Sequence, residues 1–385
     1  MESPLYLPVI EESCSIDKNI KPMLLGNDIL MKSIYLPIGS PEVNNNHIGL
    51  TGDNGMGKSY TTLSIVNELS KQEISSVIID SENSFAENTL EKAFISSMGE
   101  NLERINVYEN KIPINIFERQ KFYLSSKVYD EKDSDIAARS SHLLGRACKL
   151  SEKQINAVYR AVIRLLDYTS DEVITLMALC DELEEDSSEE ADVAKGRILQ
   201  IATADVFRED GTSFSRCRHF EAGKCLIFSL AGFQSDLLKR MIAECILQDL
   251  WSYAKNHGAK DNPFAVVIDE IEIIPPTRNS TFANLLTLGR KFGVMCIWNT
   301  TLIKGKFDDY ELVNLNQTAT RLFFKTSDPD EHRYIEQCLK NYKESHFGLQ
   351  KLKKGCCLAR GPFMSDSNTL YEDKLFLLNI PEIKD

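Results

Sequence analysis

Gly52 is followed by four free positions and then by Gly57, Lys58 and Ser59, which completes the G-x-x-x-x-G-K-[ST] phosphate loop. Glycines in such a loop let consecutive backbone N–H groups turn inward on an anion, and a helix starting there adds its partial positive charge. Lys58 then reaches the β- and γ-phosphates of a nucleotide, and the Ser59 hydroxyl lies on Mg²⁺. Gly52, Asp53, Asn54, Gly55, Met56, Gly57, Lys58, Ser59 and Tyr60 are the expected contacts of ATP or GTP. A second group stands far downstream, where Pro263 to Glu270 reads PFAVVIDE. An acid ending a buried strand is where a phosphate-loop enzyme holds the Mg²⁺ water shell, and the next acid orients or deprotonates the attacking water. Asp269 is assigned to magnesium, directly or through water, and Glu270 to the attacking water.

Two further polar strand ends remain open to two readings each. Asp80 and Glu82, in VIIDSE, either face Mg²⁺, the attacking water or an adjacent subunit, or merely accompany a helix cap at Ser81 or Ser84. Asn299, just past VMCIW, either senses the γ-phosphate through the attacking water or caps the next element.

Positioning these groups requires an open α/β sheet, because catalytic residues of such sheets gather at the carboxyl ends of their strands. His47 to Thr51, Ser75 to Asp80, Lys224 to Leu230, Pro263 to Glu270, Val294 to Trp298 and Thr320 to Lys325 read as strands, because they are short apolar runs, and Asn101 to Val107 is a further candidate strand. Ser59–Leu69, Ser235–Lys255, Phe282–Phe292 and Asp328–Leu339 carry apolar residues at helical spacing, as do segments near 131–148, 151–167, 171–185 and 189–204. Ser151 and Asp171 are the expected helix starts in that region, and Glu182 to Asp192 a solvated inter-helix loop. Met23 to Ile38 alternates around a Gly-Asn-Asp turn, as a hairpin does. A further hairpin is expected around Lys353-Lys354-Gly355.

The expected organisation is an extension with a small hairpin over 1–40, a nucleotide core over 41–117 and 206–370, an all-helical insertion over 118–205, and a C-terminal tail over 371–385. Charge and cysteines narrow the function. The net charge of 44 − 57 = −13 excludes a uniformly basic nucleic-acid coat. Ten cysteines without a C-x-x-C pair read as reduced core thiols rather than as a zinc site or a disulfide frame. No apolar run approaches bilayer length, and the N-terminal residues carry acids where a signal peptide is basic, so a cytoplasmic location is expected.

Taken in order, Asn46-His47-Ile48-Gly49-Leu50 before the phosphate loop, Asp80, Asp269-Glu270, Gly289-Arg290-Lys291-Phe292-Gly293 and the closing Leu352 to Leu358 resemble the HerA/FtsK branch of phosphate-loop motors, with features of the conjugation and type IV secretion ATPases. The resemblance spans residues 25 to 365 and implies a RecA-like core with a mainly parallel sheet. It also implies ATP with Mg²⁺ held between subunits of a ring, usually a hexamer, with DNA through its centre. Arg290 would then reach a neighbour's γ-phosphate, and Asn299-Thr300 stands where many members carry Thr-Gln. The implied activity is an ATPase that translocates double-stranded DNA. The alternatives are the energising ATPase of a secretion or conjugation apparatus acting on protein, or an ATP-dependent assembly switch. A partner nuclease or membrane component is also implied. DNA contacts do not carry over by motif; Lys304 and Lys306, in LIKGKF, either belong to a loop facing a pore or are ordinary surface lysines.

Overall fold

The computed structural model describes residues 20–112, 114–124, 127–168, 173–207, 222–258, 262–339, 348–366 and 369–383. Residues 1–19 of the expected extension and the helix start at Asp171 lie outside the described residues.

The chain opens with the hairpin β1 (Met23–Asn27) and β2 (Ser33–Leu36). Its turn is closed by the Asp28 carboxylate, which accepts the N–H groups of Leu30 and Lys32 at 2.8 and 2.9 Å. Then follow β3 (Ile48–Thr51), α1 (Lys58–Lys71), β4 (Ser76–Asp80), α2 (Lys92–Met98) and β5 (Leu102–Asn106). The strands β6 (Lys121–Leu124) and β7 (Lys127–Asp130) pair antiparallel in a sheet of their own. They precede α3 (Asp133–Ala147), α4 (Glu152–Tyr168), α5 (Leu176–Glu184) and α6 (Glu189–Ala202). The core resumes with β8 (Cys225–Ser229), α7 (Asp236–His257), β9 (Phe264–Ile268), α8 (Thr281–Leu288) and β10 (Val294–Thr300). It closes with α9 (Asp309–Leu315), β11 (Thr320–Phe323), α10 (Pro329–Leu339), β12 (Cys356–Ser365) and β13 (Leu370–Asn379).

The order β11-β3-β10-β9-β4-β8-β5 is parallel throughout, the α/β class expected. Strands buried on both faces read as continuous apolar runs, and here alternate residues feed two cores. Leu50, Ile78, Val267 and Ile297 pack with Leu63, Val66 and Leu69 of α1. On the other face, Ile79, Ile268, Cys296 and Trp298 pack with α7, α8 and the inserted helices. The insertion leaves and re-enters at one point, where Ile112 N–H donates to the Val206 carbonyl at 2.9 Å. No helix among the described residues is long and apolar enough to cross a membrane.

Four sequence expectations change. The insertion is not all-helical, since β6 and β7 lie inside it. Its acidic run faces water for the most part, as expected, but is not a loop throughout: residues 182–184 end α5, 189–192 begin α6, and only 185–188 connect them, with Asp186 paired to Arg160 at 3.2 Å. Residues 371–379 are not a tail, because they belong to β13, which pairs antiparallel with β12 from Cys356↔Asn379 to Met364↔Leu370. The polar Glu372-Asp373-Lys374 at its centre hides that strand from an apolar-run criterion. For the same reason the last hairpin is β12–β13, and Lys353-Lys354-Gly355 only leads into it. The antiparallel group β13-β1-β2-β12 then joins the parallel block through β12 and β11.

Candidate nucleotide site

Beyond β3 the chain bends through Gly52 (φ 149°), Gly55 (φ 78°) and Gly57 (φ 112°), a left-handed region that residues with a Cβ rarely adopt. Gly52 is doubly constrained, since a Cβ there would lie 2.7 Å from Cβ of Phe324. The loop is fastened to the segment leaving β11: Asp53 N–H donates to the Lys325 carbonyl at 2.8 Å, and Ser327 Oγ to Asp53 Oδ2 at 2.6 Å. Lys58, the first residue of α1, is buried and curls over its own loop, its Nζ donating to the carbonyls of Gly52 at 2.6 Å and Asp53 at 3.2 Å. Burial lowers its pKa, opposed by the charges of Glu270, Asp269, Glu272 and Asp53.

The acid-tipped strand β9 lies two strands from β3, with β10 between them. Because Trp298 pairs with Ile268 across the ladder, the next residues, Asn299 and Asp269, stand level. Asn299 Nδ2 donates to Asp269 Oδ1 at 2.9 Å and to Thr62 Oγ1 at 3.2 Å. Its side chain is thus spent on the acid and on α1, not on capping the following element. Ser81 Oγ donates to the Asp269 carbonyl at 3.2 Å. Asp269 itself is buried, and its Oδ2 has no hydrogen bond of good geometry, the Ser84 side chain standing near the carboxylate. Burial raises its pKa, while the side chains of Asn299 and Ser84 and the Lys58 charge oppose the rise. A buried carboxylate oxygen without a well-placed partner is unfavourable, and a hard divalent cation is the partner that would satisfy it. The buried Asp269 carboxylate therefore fits Mg²⁺; Ser59 follows Lys58 in the first turn of α1.

Glu270 adopts φ 58°, left-handed and uncommon for a non-glycine residue. Burial, then the charges of Glu272 and Asp269, push its carboxyl up to about 7, against the pull of Lys58. A carboxyl titrating there can accept a proton near neutral pH. Glu272, absent from the sequence expectations, accepts from Thr300 Oγ1 at 2.7 Å, and its Oε2 is buried without a partner.

Asp80 and Glu82 stand beside Asp269 and Glu270, close enough for their charges to act on one another, but each is engaged elsewhere. Asp80 closes its own turn, accepting from the N–H groups of Ser84 at 2.9 Å and Phe85 at 3.1 Å, and burial with the Asp269 charge pushes it up to about 6. Glu82 pairs with Lys239 of α7 at 2.8 Å. Arg290 is exposed in a 3-10 turn, Gly289–Phe292, at the amino end of β10. The phosphate loop lies at the carboxyl ends of the parallel strands, about 20 Å away along the seven residues of β10. Lys304 and Lys306 are exposed in the loop leaving β10, which is anchored where Glu331 Oε2 accepts Ile303 N–H at 2.9 Å and Lys304 N–H at 2.7 Å.

His47, buried before β3, accepts Cys296 N–H on Nδ1 at 3.0 Å, while its Nε2 faces the Leu286 carbonyl at 3.1 Å. It thereby ties the phosphate-loop strand to β10 and α8. Thr62 was also missed, though its place one turn beyond Lys58 puts it on the same helix face. Gly355 N–H donates to the Met56 carbonyl at 3.0 Å, a contact across some three hundred residues that no local pattern signals.

Residues 24–250 match the family of the HerA helicase central domain. The chain belongs to that family. No curated protein matches the sequence. Among solved structures, this HerA-family chain is similar to VirB4 of Thermoanaerobacter pseudethanolicus, with a TM-score of 0.68 at 16% identity over 94% of this chain and 96% of that one. It is also similar to the bacterial conjugative coupling protein TrwB lacking its first 70 residues, with a TM-score of 0.64 at 13% identity over 95% and 91%. A TrwB structure with ADP and Mg²⁺ gives 0.60 at 13% identity over 90% and 88%. At such identities the likeness is one of fold, a RecA-like phosphate-loop core.

Proposed function

We propose that this chain is a ring-forming ATPase of the cytoplasm that couples ATP hydrolysis to the movement of double-stranded DNA. The observation that carries the reading is the meeting of Lys58, Asp269, whose Oδ2 has no hydrogen bond of good geometry, and Asn299 at one sheet edge. In the proposed mechanism Lys58 exchanges its own loop carbonyls for the β- and γ-phosphates. Ser59 and Asp269 would hold Mg²⁺, which when bound would draw charge from the phosphate oxygens. Glu270 takes a proton from the attacking water, and Asn299, braced between Asp269 and Thr62, reads the γ-phosphate through that water. Arg290 has no reach to its own loop, so its part is to place a guanidinium against a neighbour's γ-phosphate, where such a group speeds transfer by roughly 10³ to 10⁵. A hexamer supplies those neighbours.

A second reading keeps the engine and changes the load to a protein of a secretion or conjugation apparatus. The net charge of −13 favours it, since an acidic field repels nucleic acid phosphates. Steady-state hydrolysis with and without duplex DNA at low salt separates the two. Stimulation by DNA is expected for the first, and an unchanged rate on every DNA tried refutes it. Lys58→Ala is expected to abolish hydrolysis; an unchanged rate would defeat the mechanism. Mixing Arg290→Ala with Glu270→Gln subunits is expected to restore part of the activity at mixed interfaces, and verified mixed rings without recovery would remove Arg290 from its role.

A further inference from the structure

The phosphate loop is walled on its outer side by parts of the chain that lie far away in sequence. Gly355 N–H donates to the Met56 carbonyl at 3.0 Å, and Ile380 N–H donates to the Gly355 carbonyl at 3.0 Å. Ile383 N–H donates to Tyr60 Oη at 2.8 Å, and Ile383 is buried. The approach is close, since a Cβ on Gly57 would lie 3.3 Å from Gly355 N. Gly355 itself holds φ 79°, which lets the preceding turn fold back at this point. That turn places Lys353 and Lys354, both exposed, immediately before the residue bonded to the loop.

The electrostatics give those lysines a task. Asp53, Asp269, Glu270 and Glu272 all act on Lys58, so the loop's own lysine serves a strongly acidic surrounding. A nucleoside triphosphate brings several more negative charges, and one ammonium does not balance them. The turn is bonded to the loop by its backbone, and both of its lysines are exposed.

We propose that Lys353 and Lys354 are nucleotide-binding residues: with Ile380–Ile383 behind them they form a second, cationic wall of the site and contact the phosphates of a nucleoside triphosphate from outside the loop. The inference rests on the nucleotide reading above and adds residues to it. The C-terminal segment serves as the rigid backing, through Gly355 and Tyr60.

The test is a titration of the full-length protein with a fluorescent ATP analogue and Mg²⁺, across a salt series. Four proteins are compared: the natural chain, Lys58→Ala, the double variant Lys353→Gln/Lys354→Gln, and a control of equal charge change, Lys127→Gln/Lys132→Gln, both exposed in the insertion. The expected result is a dissociation constant raised roughly fivefold in the first double variant at low salt, the size expected for two exposed charge contacts, with the gap closing as salt rises. The control stays at the natural value, and an unchanged melting temperature shows the loss is local. A Lys353→Gln/Lys354→Gln protein that binds as tightly as the natural chain, while Lys58→Ala binds weakly, overturns the second wall and leaves the nucleotide reading standing. Equal weakening in both double variants reduces the effect to net charge and also overturns the wall. Binding unaffected by Lys58→Ala overturns the nucleotide reading, and the wall with it.

Discussion

His47 gives the fold a calculable acid sensitivity. Its ring is fully buried, accepts Cys296 N–H on Nδ1 and faces the Leu286 carbonyl with Nε2. The neutral tautomer with the proton on Nε2 satisfies both contacts, and protonating Nδ1 breaks the first. Burial lowers the pKa from 6.5 to about 4, against the raising effect of the Leu286 bond. A depressed folded-state pKa contributes stability that is fully present above the unfolded value near 6.5 and is lost as pH falls towards 4. Between pH 7 and pH 5 these values give a loss of about 2 kcal/mol. Other buried groups act in the opposite sense. Asp80 and Glu244 have raised pKa values, so their contribution grows as pH falls. Comparison with His47→Asn isolates the histidine, because the acids are common to both proteins. Urea unfolding at pH 7 should find His47→Asn less stable, from the lost Leu286 contact and a small cavity. At pH 5 the difference should shrink by about 2 kcal/mol, since only the natural chain carries the titrating ring. A difference that stays constant between the two pH values would refute this account of His47.

Three further outcomes follow from particular contacts. Gly49→Ala would place a Cβ 2.3 Å from the Trp298 ring, so chemical denaturation should show a loss of about 1 to 3 kcal/mol; an unchanged midpoint would mean the ring yields freely. Glu270→Asn should abolish hydrolysis yet melt higher than Glu270→Gln, because asparagine tolerates the left-handed φ of 58° better, and a lower melting point for Asn would contradict the strain. Asn299→Leu removes the partner of Asp269 Oδ1 and should lower kcat by about tenfold or more while nucleotide binding persists, from the loss of a buried hydrogen bond to a charged group; an unaltered kcat would reduce Asn299 to a packing residue.

Much of the fold was legible because buried parallel strands write themselves as apolar runs and the phosphate loop has a fixed spacing. The seven strands of the parallel block and the helices α1, α7 and α10 all fall where periodicity places them. β13 and the β6–β7 hairpin were not legible, because their polar positions face away from any core that local sequence can reveal. The site divides along the same line. Gly52, Lys58, Ser59, Asp269 and Glu270 stand at strand ends or in a motif, which sequence marks. Thr62, Glu272 and Gly355 meet their partners through contacts between segments far apart in sequence.

What the sequence determined by itself is a chemistry: a glycine loop for phosphates, with acids at the end of an apolar strand. Only the tertiary structure decided which groups serve one another. Strand order is set by long-range packing, and it is the insertion of β10 between β3 and β9 that brings Asn299 onto Asp269, while the turn ahead of β12 bonds Gly355 to the phosphate loop.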